Sequence, residues 1–207
     1  RYPHQEPQRN EAAEYRNRMI GFIFQSFNLI SFKNAVENVA ASLFYQGVSR
    51  RKRNALALEY LDRLGLKEWA HHMPKRKCPA DRSSVQPVAR ALITNPELVL
   101  ADEPSGALDS HAADGLMKLF GEINEEGQTI VMVTHSVKAA CSAKRVLFIK
   151  DGEVFHQLYR GSLGRDEMYQ KISDTLTILA TVVNGMNNLL YARLAKTNLS
   201  KNRQNIL

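Results

Sequence analysis

The sequence predicts an α/β fold in which a mostly parallel sheet is joined by a helical subdomain. The first observation is a set of short apolar runs, such as residues 98–101, which are too short and too apolar for surface helices and suit buried strands. The second is a set of longer segments with the apolar periodicity of amphipathic helices. The third is size, because 207 residues, 44% of them apolar, can bury the core of one domain or of two small ones.

Each element follows from its local pattern along the chain. Apolar or β-branched runs predict strands over residues 20–24, over residues 98–101 and directly before His135. Helical periodicity is present over residues 53–66, 88–93 and 110–121. In the first of these helices one face is expected to be apolar and to pack inward: Ala55, Leu58, Leu61, Leu64 and Leu66.

Two adjacent carboxylates, Asp102 and Glu103, follow the apolar run 98–101 directly. Ligands of parallel sheets bind at the carboxyl ends of the strands, so the pair is predicted to lie at a functional site. Side chains alternate along a strand, so the two carboxylates cannot play the same role. One can help to hold Mg²⁺, and the other can orient or deprotonate a water. The alternative is a strand end followed by an acidic helix N-cap, and the continuation Pro-Ser-Gly-Ala-Leu-Asp-Ser weighs against it.

Gln25 and His135 also follow predicted strands. The neutral amide of Gln25 can coordinate Mg²⁺ or a water without adding charge. The imidazole of His135 can reach a terminal phosphate and sense its presence. Taken singly, a glutamine after a strand is more often a solvent-facing loop residue, and a histidine at a strand end is more often structural.

Composition restricts the classes of partner. The net charge of +7 is scattered, with concentrations at residues 50–53, at residues 74–77 and near the C-terminus, and no basic stripe with interleaved aromatic residues is present. Most of this charge is therefore expected to be solvated surface, and no nucleic-acid partner is expected. Cys78 and Cys141 have no metal-site spacing and suggest a reducing compartment. No apolar run reaches 18 residues, so no membrane-spanning segment is expected.

Residues 97–110 resemble the Walker B motif and D-loop of the ATP-binding cassette (ABC) ATPases. Other segments resemble further motifs of that family in order and spacing. They are the Q-loop at residues 20–30, the Glu-Asn-Val that follows it at residues 37–39, the H-loop at residues 129–136, and the next strand-turn-strand at residues 146–154. The resemblance covers about residues 11–180 and implies a P-loop NTPase-like sheet.

The resemblance implies an ATP-binding and ATP-hydrolysing subunit that powers a transporter, with ATP and Mg²⁺ as cofactors. It implies catalytic roles for Glu103, His135 and Gln25, and magnesium binding by Asp102 and Gln25. The residues implied in nucleotide binding are Asp102, Gln25, Ser105, Asp109 and His135, of which Asp109 would cross a dimer interface.

The resemblance also implies partners and a location. The subunit would form a homodimer and serve a transmembrane permease of the FtsX-like, lipoprotein-release class. It would lie peripherally at the cytoplasmic face of the plasma (inner) membrane. The relatives it indicates are the ATPases of lipoprotein-release, macrolide-export and bacitracin-type antimicrobial-peptide exporters.

Two motifs depart from the family pattern. The phosphate-binding loop Gly-x-x-x-x-Gly-Lys-Ser/Thr (Walker A) does not occur in the 207 residues. Only 24 residues precede Gln25, so the chain is expected to begin after that loop and to lack the first strands of its sheet. The signature window at residues 78–85 is degenerate, because Pro79 removes an N–H and Asp81 sets a carboxylate against phosphate. The degenerate residues are Pro79, Ala80, Asp81 and Arg82.

A pair of compensating frameshifts would explain the degenerate window. Residues 77–85 can be encoded by AAA TGT CCG GCG GAC AGA AGC AGC GTG. From the last A of the lysine codon, the next frame encodes Met-Ser-Gly-Gly-Gln-Lys-Gln-Arg, which is a complete family signature. Codons in the gene that are incompatible with this second frame would sink the hypothesis.

Four segments are expected along the chain. They are a partial ATPase core with the Q-loop (1–40), the helical subdomain with the degenerate signature (41–95), the ATPase core with Walker B, D-loop and H-loop (96–180), and an extension that resembles the start of the partner permease (181–207). One alternative function is an inactive fragment or a non-enzymatic basic binding protein. Another is an ABC-type ATPase of DNA repair, although only about 50 residues separate Q-loop and signature here, which leaves no room for that class's usual coiled-coil or zinc insert.

Overall fold

A computed structural model describes residues 9–74 and 84–179 of the chain. The chain divides into two compact units, Arg1–Ala139 and Ala140–Leu207. The degenerate signature residues Pro79, Ala80, Asp81 and Arg82 lie outside the described residues, as does the permease-like extension 181–207.

The first unit contains a three-stranded parallel sheet. Its strands are β1 (Ile20–Ile23), β2 (Leu98–Asp102) and β3 (Thr129–Val133), in that spatial order. The register pairs Ile23 with Ala101, and Asp102 with Val133. The parallel sheet confirms the predicted α/β class, and the matched register brings the carboxyl ends of all three strands to one edge.

Helices connect the strands of this sheet and form a second layer. In chain order they are α1 (Arg9–Met19), α2 (Ala35–Phe44), α3 (Arg50–Arg63), a 3₁₀ turn (Lys67–Trp69), α4 (Val85–Leu92), α5 (Ser110–Glu125) and the short α6 (Val137–Ala140). One core lies among the helices, where α2, α3 and α4 bury residues such as Val39, Leu61 and Ala89. A second core lies against the sheet, where Val88 of α4 packs with strand and α5 residues. Helix α4 therefore contributes to both cores.

Only one face of the sheet is covered by this second core. Val99 and Ala101 of β2 point into it and are buried. On the opposite face, Phe22, Val131 and Val133 are exposed, with Phe22 and Val131 both opposite Leu100 in the register. Asp102 is paired with Val133 and is exposed at the end of β2, so it emerges beside the uncovered face.

The predicted apolar face of α3 is partly wrong. Ala55 and Leu58 are exposed, whereas Ala57 and Leu61 are the buried residues of the helix. Residues four apart lie above one another on a helix, so the 57–61 row, continued by Leu64, faces the core and Leu58 is turned away from it. The helix ends at Arg63, and Leu66 is buried from the loop after Gly65 rather than from the helix.

Gly21 of β1 allows α4 to lie close to the sheet. A Cβ atom at Gly21 would come within 2.5 Å of the carbonyl oxygen of Ala91. Because a backbone atom cannot yield as a side chain can, we expect Gly21→Ala to lower the free energy of unfolding by about 1–3 kcal/mol. Gly115→Ala in α5 is the matched control, since its Cβ would meet nothing within 4 Å and should stabilise the helix by about 0.5–1 kcal/mol. Urea unfolding, followed by the fluorescence of the single tryptophan Trp69, measures the stability of both variants. Equal unfolding midpoints would contradict the close approach of Ala91 to Gly21.

The part of the second unit that the structure describes contains a β-hairpin followed by a helix. Strands β4 (Arg145–Lys150) and β5 (Glu153–Tyr159) are antiparallel and confirm the predicted strand-turn-strand. Asp151 and Gly152 form the two-residue turn with φ of 51° and 83°, as a type I′ hairpin requires. Helix α7 spans residues 165–179 and buries Met168 and Ile172.

Candidate functional site

The segments that the sequence analysis singled out leave the sheet at one edge. Gln25 follows β1 by two residues, Asp102 is the last residue of β2, and His135 follows β3 by two residues. The parallel register explains this convergence, because it aligns the carboxyl ends of the three strands.

Glu103 is the most constrained side chain of the edge. Its N–H donates to the carbonyl of Val133 at 2.9 Å, which extends the pairing of β2 with β3 by one residue. Its φ of 44° then turns the chain into the left-handed region. The carboxylate accepts the His135 N–H on Oε1 at 2.6 Å and the Thr134 hydroxyl on Oε2 at 3.3 Å. Only 18% of the side chain is exposed, so the carboxylate is fixed beside Thr134 and His135 of the H-loop.

His135 lies beside this carboxylate and faces solvent. Its Nε2 is 3.6 Å from Oε1 of Glu103, and 98% of its side chain is exposed. The backbone of His135 therefore holds Glu103, while its imidazole is free to turn toward a ligand at the edge. The sequence predicted both residues for the site, and the structure adds the hydrogen bond between them.

Asp102 has a different setting from Glu103. It is exposed and extended at the end of β2, as expected if the two carboxylates have separate tasks. Within residues 9–74 and 84–179, no group of three or more His, Cys, Asp or Glu side chains is arranged to hold a metal ion. Mg²⁺ is usually bound by one or two carboxylates together with substrate phosphates, so the single accessible carboxylate of Asp102 suits it.

The side chain of Gln25 lies over the turn that follows Glu103. A Cβ atom at Gly106 would be 3.1 Å from Nε2 of Gln25, and the Gly106 N–H donates to the carbonyl of Glu103 at 3.0 Å. Because Gly106 has no side chain, the amide of Gln25 can occupy the space next to it. The structure thus brings Gln25 and Glu103 to the same turn, although their strands are 75 residues apart in the chain, from Ile23 to Leu98.

Ser105 and Asp109 organise the D-loop. The carbonyl of Ser105 accepts the Leu108 N–H at 3.1 Å and closes a turn. Asp109 is the N-cap of α5, and its Oδ1 accepts the Ala112 N–H at 2.8 Å. Asp109, and neither Asp102 nor Glu103, is therefore the acidic N-cap of the helix that follows β2. A contact of Asp109 across a dimer interface stays a prediction.

Two residues that sequence reasoning left without a role hold the Q-loop in place. Asn38 is fully buried, accepts the Ile30 N–H at 2.7 Å and donates to the carbonyls of Ile30 and Lys33. Arg90 of α4 donates to the carbonyls of Phe27 and Asn28, each at 2.7 Å. Burial lowers the pKa of the Arg90 guanidinium from its ordinary value. The Glu-Asn-Val segment of the sequence contains Asn38 but indicated no task for it, and no sequence signal marked the contacts of Arg90 with a loop 62 and 63 residues away.

Comparison with known proteins agrees with this arrangement. The chain is 40% identical over 142 residues to the ABC transporter ATP-binding protein YvrO of Bacillus subtilis (strain 168), covering 69% of this chain and 62% of that protein. It is 41% identical over 145 residues to the macrolide export ATP-binding/permease protein MacB of Aggregatibacter actinomycetemcomitans, covering 70% and 22%. A solved dimeric structure of the ATP-binding cassette MJ0796, in a post-hydrolysis state bound to ADP and Pi, superposes with a TM-score of 0.63 at 35% identity, covering 74% of this chain and 68% of that one.

The chain belongs to the ABC ATPases. The resemblance inferred from the Walker B, Q-loop and H-loop segments is thereby confirmed, as is the P-loop NTPase fold. No protein-family model matches the chain. This ABC ATPase chain spans 62% of the length of YvrO and 22% of that of MacB.

Proposed function

We propose that this chain is the ATP-binding and ATP-hydrolysing subunit of an ABC transporter, and that its described residues form the water-activating half of the site. One observation carries the proposal. The carboxylate of Glu103 is fixed at the end of β2 by the backbone of His135 and the hydroxyl of Thr134. A carboxylate held in this way, next to an imidazole at the carboxyl edge of a parallel sheet, suits a general base for an attacking water.

The remaining residues of the edge divide the other tasks. Asp102 and Gln25 are the residues that would offer oxygen ligands to Mg²⁺, and the exposed imidazole of His135 is the group that would meet a terminal phosphate. The ion, when bound with ATP, neutralises charge on the phosphates. Ser105 and Asp109 shape the D-loop beside them. The phosphate-binding loop motif is not among the 207 residues. We therefore assign to these residues only the side of the site that carries the carboxylates of Asp102 and Glu103.

The partners follow from the same family membership. We infer a dimer of ATPase subunits, which the dimeric MJ0796 structures support. We infer a transmembrane permease of the FtsX-like, lipoprotein-release class, with the chain held peripherally at the cytoplasmic face of the membrane. The combined ATP-binding and permease name of MacB supports a permease partner. Over residues 9–74 and 84–179, no helix is long and apolar enough to cross a membrane.

A thermal-shift titration with Mg-ATP tests nucleotide binding by the purified chain. A ligand that binds only the folded state at about ten times its Kd should stabilise it by about 1.4 kcal/mol and raise the Tm. We expect Asp102→Asn to reduce this shift, because it removes the exposed carboxylate offered to Mg²⁺. Glu97→Gln is the control, since Glu97 is exposed just before the opposite end of β2 and should leave the shift unchanged.

Two outcomes would overturn the proposal. An unchanged Tm up to millimolar Mg-ATP would favour an inactive fragment or a non-enzymatic basic binding protein, a candidate that the missing phosphate-loop motif supports. Tight binding of single-stranded DNA at physiological salt would favour the DNA-repair class instead.

A further inference from the structure

We propose that Arg90 is a positioning residue that fixes the Q-loop turn at residues 24–28 and thereby holds Gln25 against Gly106. The inference rests on the proposed function only for the task it gives Gln25. The clamp, which we define as the two hydrogen bonds from Arg90 to the carbonyls of Phe27 and Asn28, belongs to the folded chain without nucleotide. Its effect on the turn can therefore be measured separately from ATP binding.

The Q-loop turn is conformationally costly. Phe27 and Asn28 adopt φ of 58° and 45°, two left-handed residues in succession. The left-handed region is unfavourable for a bulky side chain such as phenylalanine, and such residues persist only where the surroundings impose them. Local bonds contribute, since the Phe27 N–H donates to Phe24 at 2.9 Å and the Asn28 N–H to Ser26 at 2.6 Å. The first of these bonds closes a turn that contains Gln25.

The guanidinium of Arg90 supplies a hold from outside the turn. Its Nη1 donates to the carbonyl of Asn28 and its Nη2 to the carbonyl of Phe27, both at 2.7 Å. One planar fork therefore binds two successive carbonyls, which a lysine ammonium cannot reproduce in the same geometry. Hydrogen bonds to a charged donor are among the stronger ones in proteins.

The base of this fork is itself immobilised. The carbonyl of Arg90 accepts the hydroxyl of Ser42 from α2 at 3.1 Å. On the next residue, Ala91 approaches Gly21 of β1 so closely that no Cβ fits between them. Helix α4 is thus fixed both to the helical core and to the sheet, and the fork extends from a rigid support.

Amide hydrogen exchange of the full chain without nucleotide tests the clamp. We expect Arg90→Ala to raise the exchange rates of the Phe27 and Asn28 amides at least about tenfold, because two charge-assisted bonds are lost. Arg90→Lys should give an intermediate rate. Free guanidinium at about 20 mM, far below denaturing concentrations, should slow exchange again in Arg90→Ala but not in Arg90→Lys.

Controls separate positioning from general stability. The Asn38 amide, which donates to Asn34 at the start of α2, should exchange at an unchanged rate in Arg90→Ala. Arg63→Ala removes another arginine, one in an exposed pair with Glu126, and should change neither amide of the turn. The proposal is overturned if the turn amides are unaffected by Arg90→Ala, if all amides accelerate by the same factor, or if guanidinium restores nothing.

Discussion

Replacing Asn38 with leucine is expected to lower the free energy of unfolding by about 3–5 kcal/mol. Asn38 is fully buried in α2, and its amide satisfies one N–H and three carbonyl groups of the preceding loop and helix start. Leucine has a similar volume but offers no polar atom. The Ile30 N–H and the carbonyls of Ile30 and Lys33 would then be left without this partner next to the core, at a cost of about 1–3 kcal/mol for each group that stays buried.

Urea unfolding followed by Trp69 fluorescence measures this loss. Asn54→Leu is the control, because Asn54 lies on α3 and is only half-buried, and we expect a change within about 0.5 kcal/mol. A midpoint for Asn38→Leu equal to that of the control would show that the loop finds other partners or water. The result also bears on function, since the loop that Asn38 holds continues from the Q-loop.

The strands could be predicted because their signal is local. Each apolar run predicted as a strand is one in the structure, and the carboxyl edge predicted for Asp102 is where the structure also places the segments of Gln25 and His135. The buried face of α3 was harder to predict, because apolar residues lie on more than one face of this helix. Only packing against α2 and α4 decides that Ala57 rather than Leu58 turns inward.

Two supports of the site, the Arg90 contacts and the bond between Glu103 and His135, could not be predicted, because they connect distant parts of the chain. Arg90 binds carbonyls 62 and 63 residues away, and no periodicity of α4 marks that contact. The hydrogen bond from the His135 N–H to the Glu103 carboxylate likewise depends on the pairing of β2 with β3. Asp109 was a partial exception, because an acidic residue directly before a helical segment is a local N-cap signal.

At the carboxyl edge of the sheet, the candidate catalytic residues are therefore held in place through hydrogen bonds of backbone groups. Glu103 is held by the H-loop backbone, and Gln25 lies in a turn held through its carbonyls. The pairing of β2 with β3 and the hydrogen bonds from Arg90 of α4 fix these backbone groups within the chain itself. This arrangement makes side-chain substitutions at the edge informative, because they can change chemistry without removing the support.

Glu103→Gln is expected to lower ATP hydrolysis by about 10²–10⁴-fold while leaving the Mg-ATP thermal shift nearly unchanged. Glutamine matches the shape of glutamate, and its amide oxygen can still accept the His135 N–H. Its NH₂ can donate to the Thr134 hydroxyl oxygen, so the link to the H-loop is kept. Only the capacity to take a proton from water is lost. Phosphate release above the buffer rate, measured in a single turnover, gives the hydrolysis rate.

Glu97→Gln provides the matched comparison for this experiment, because the same substitution is made just before the opposite end of β2. We expect it to hydrolyse ATP at the rate of the unsubstituted chain. If Glu103→Gln loses the thermal shift as well as hydrolysis, the carboxylate acts mainly as a structural tie to the H-loop. If Glu103→Gln hydrolyses ATP unchanged, Glu103 is not the base, and the fixed carboxylate at the end of β2 serves only to join the two strands.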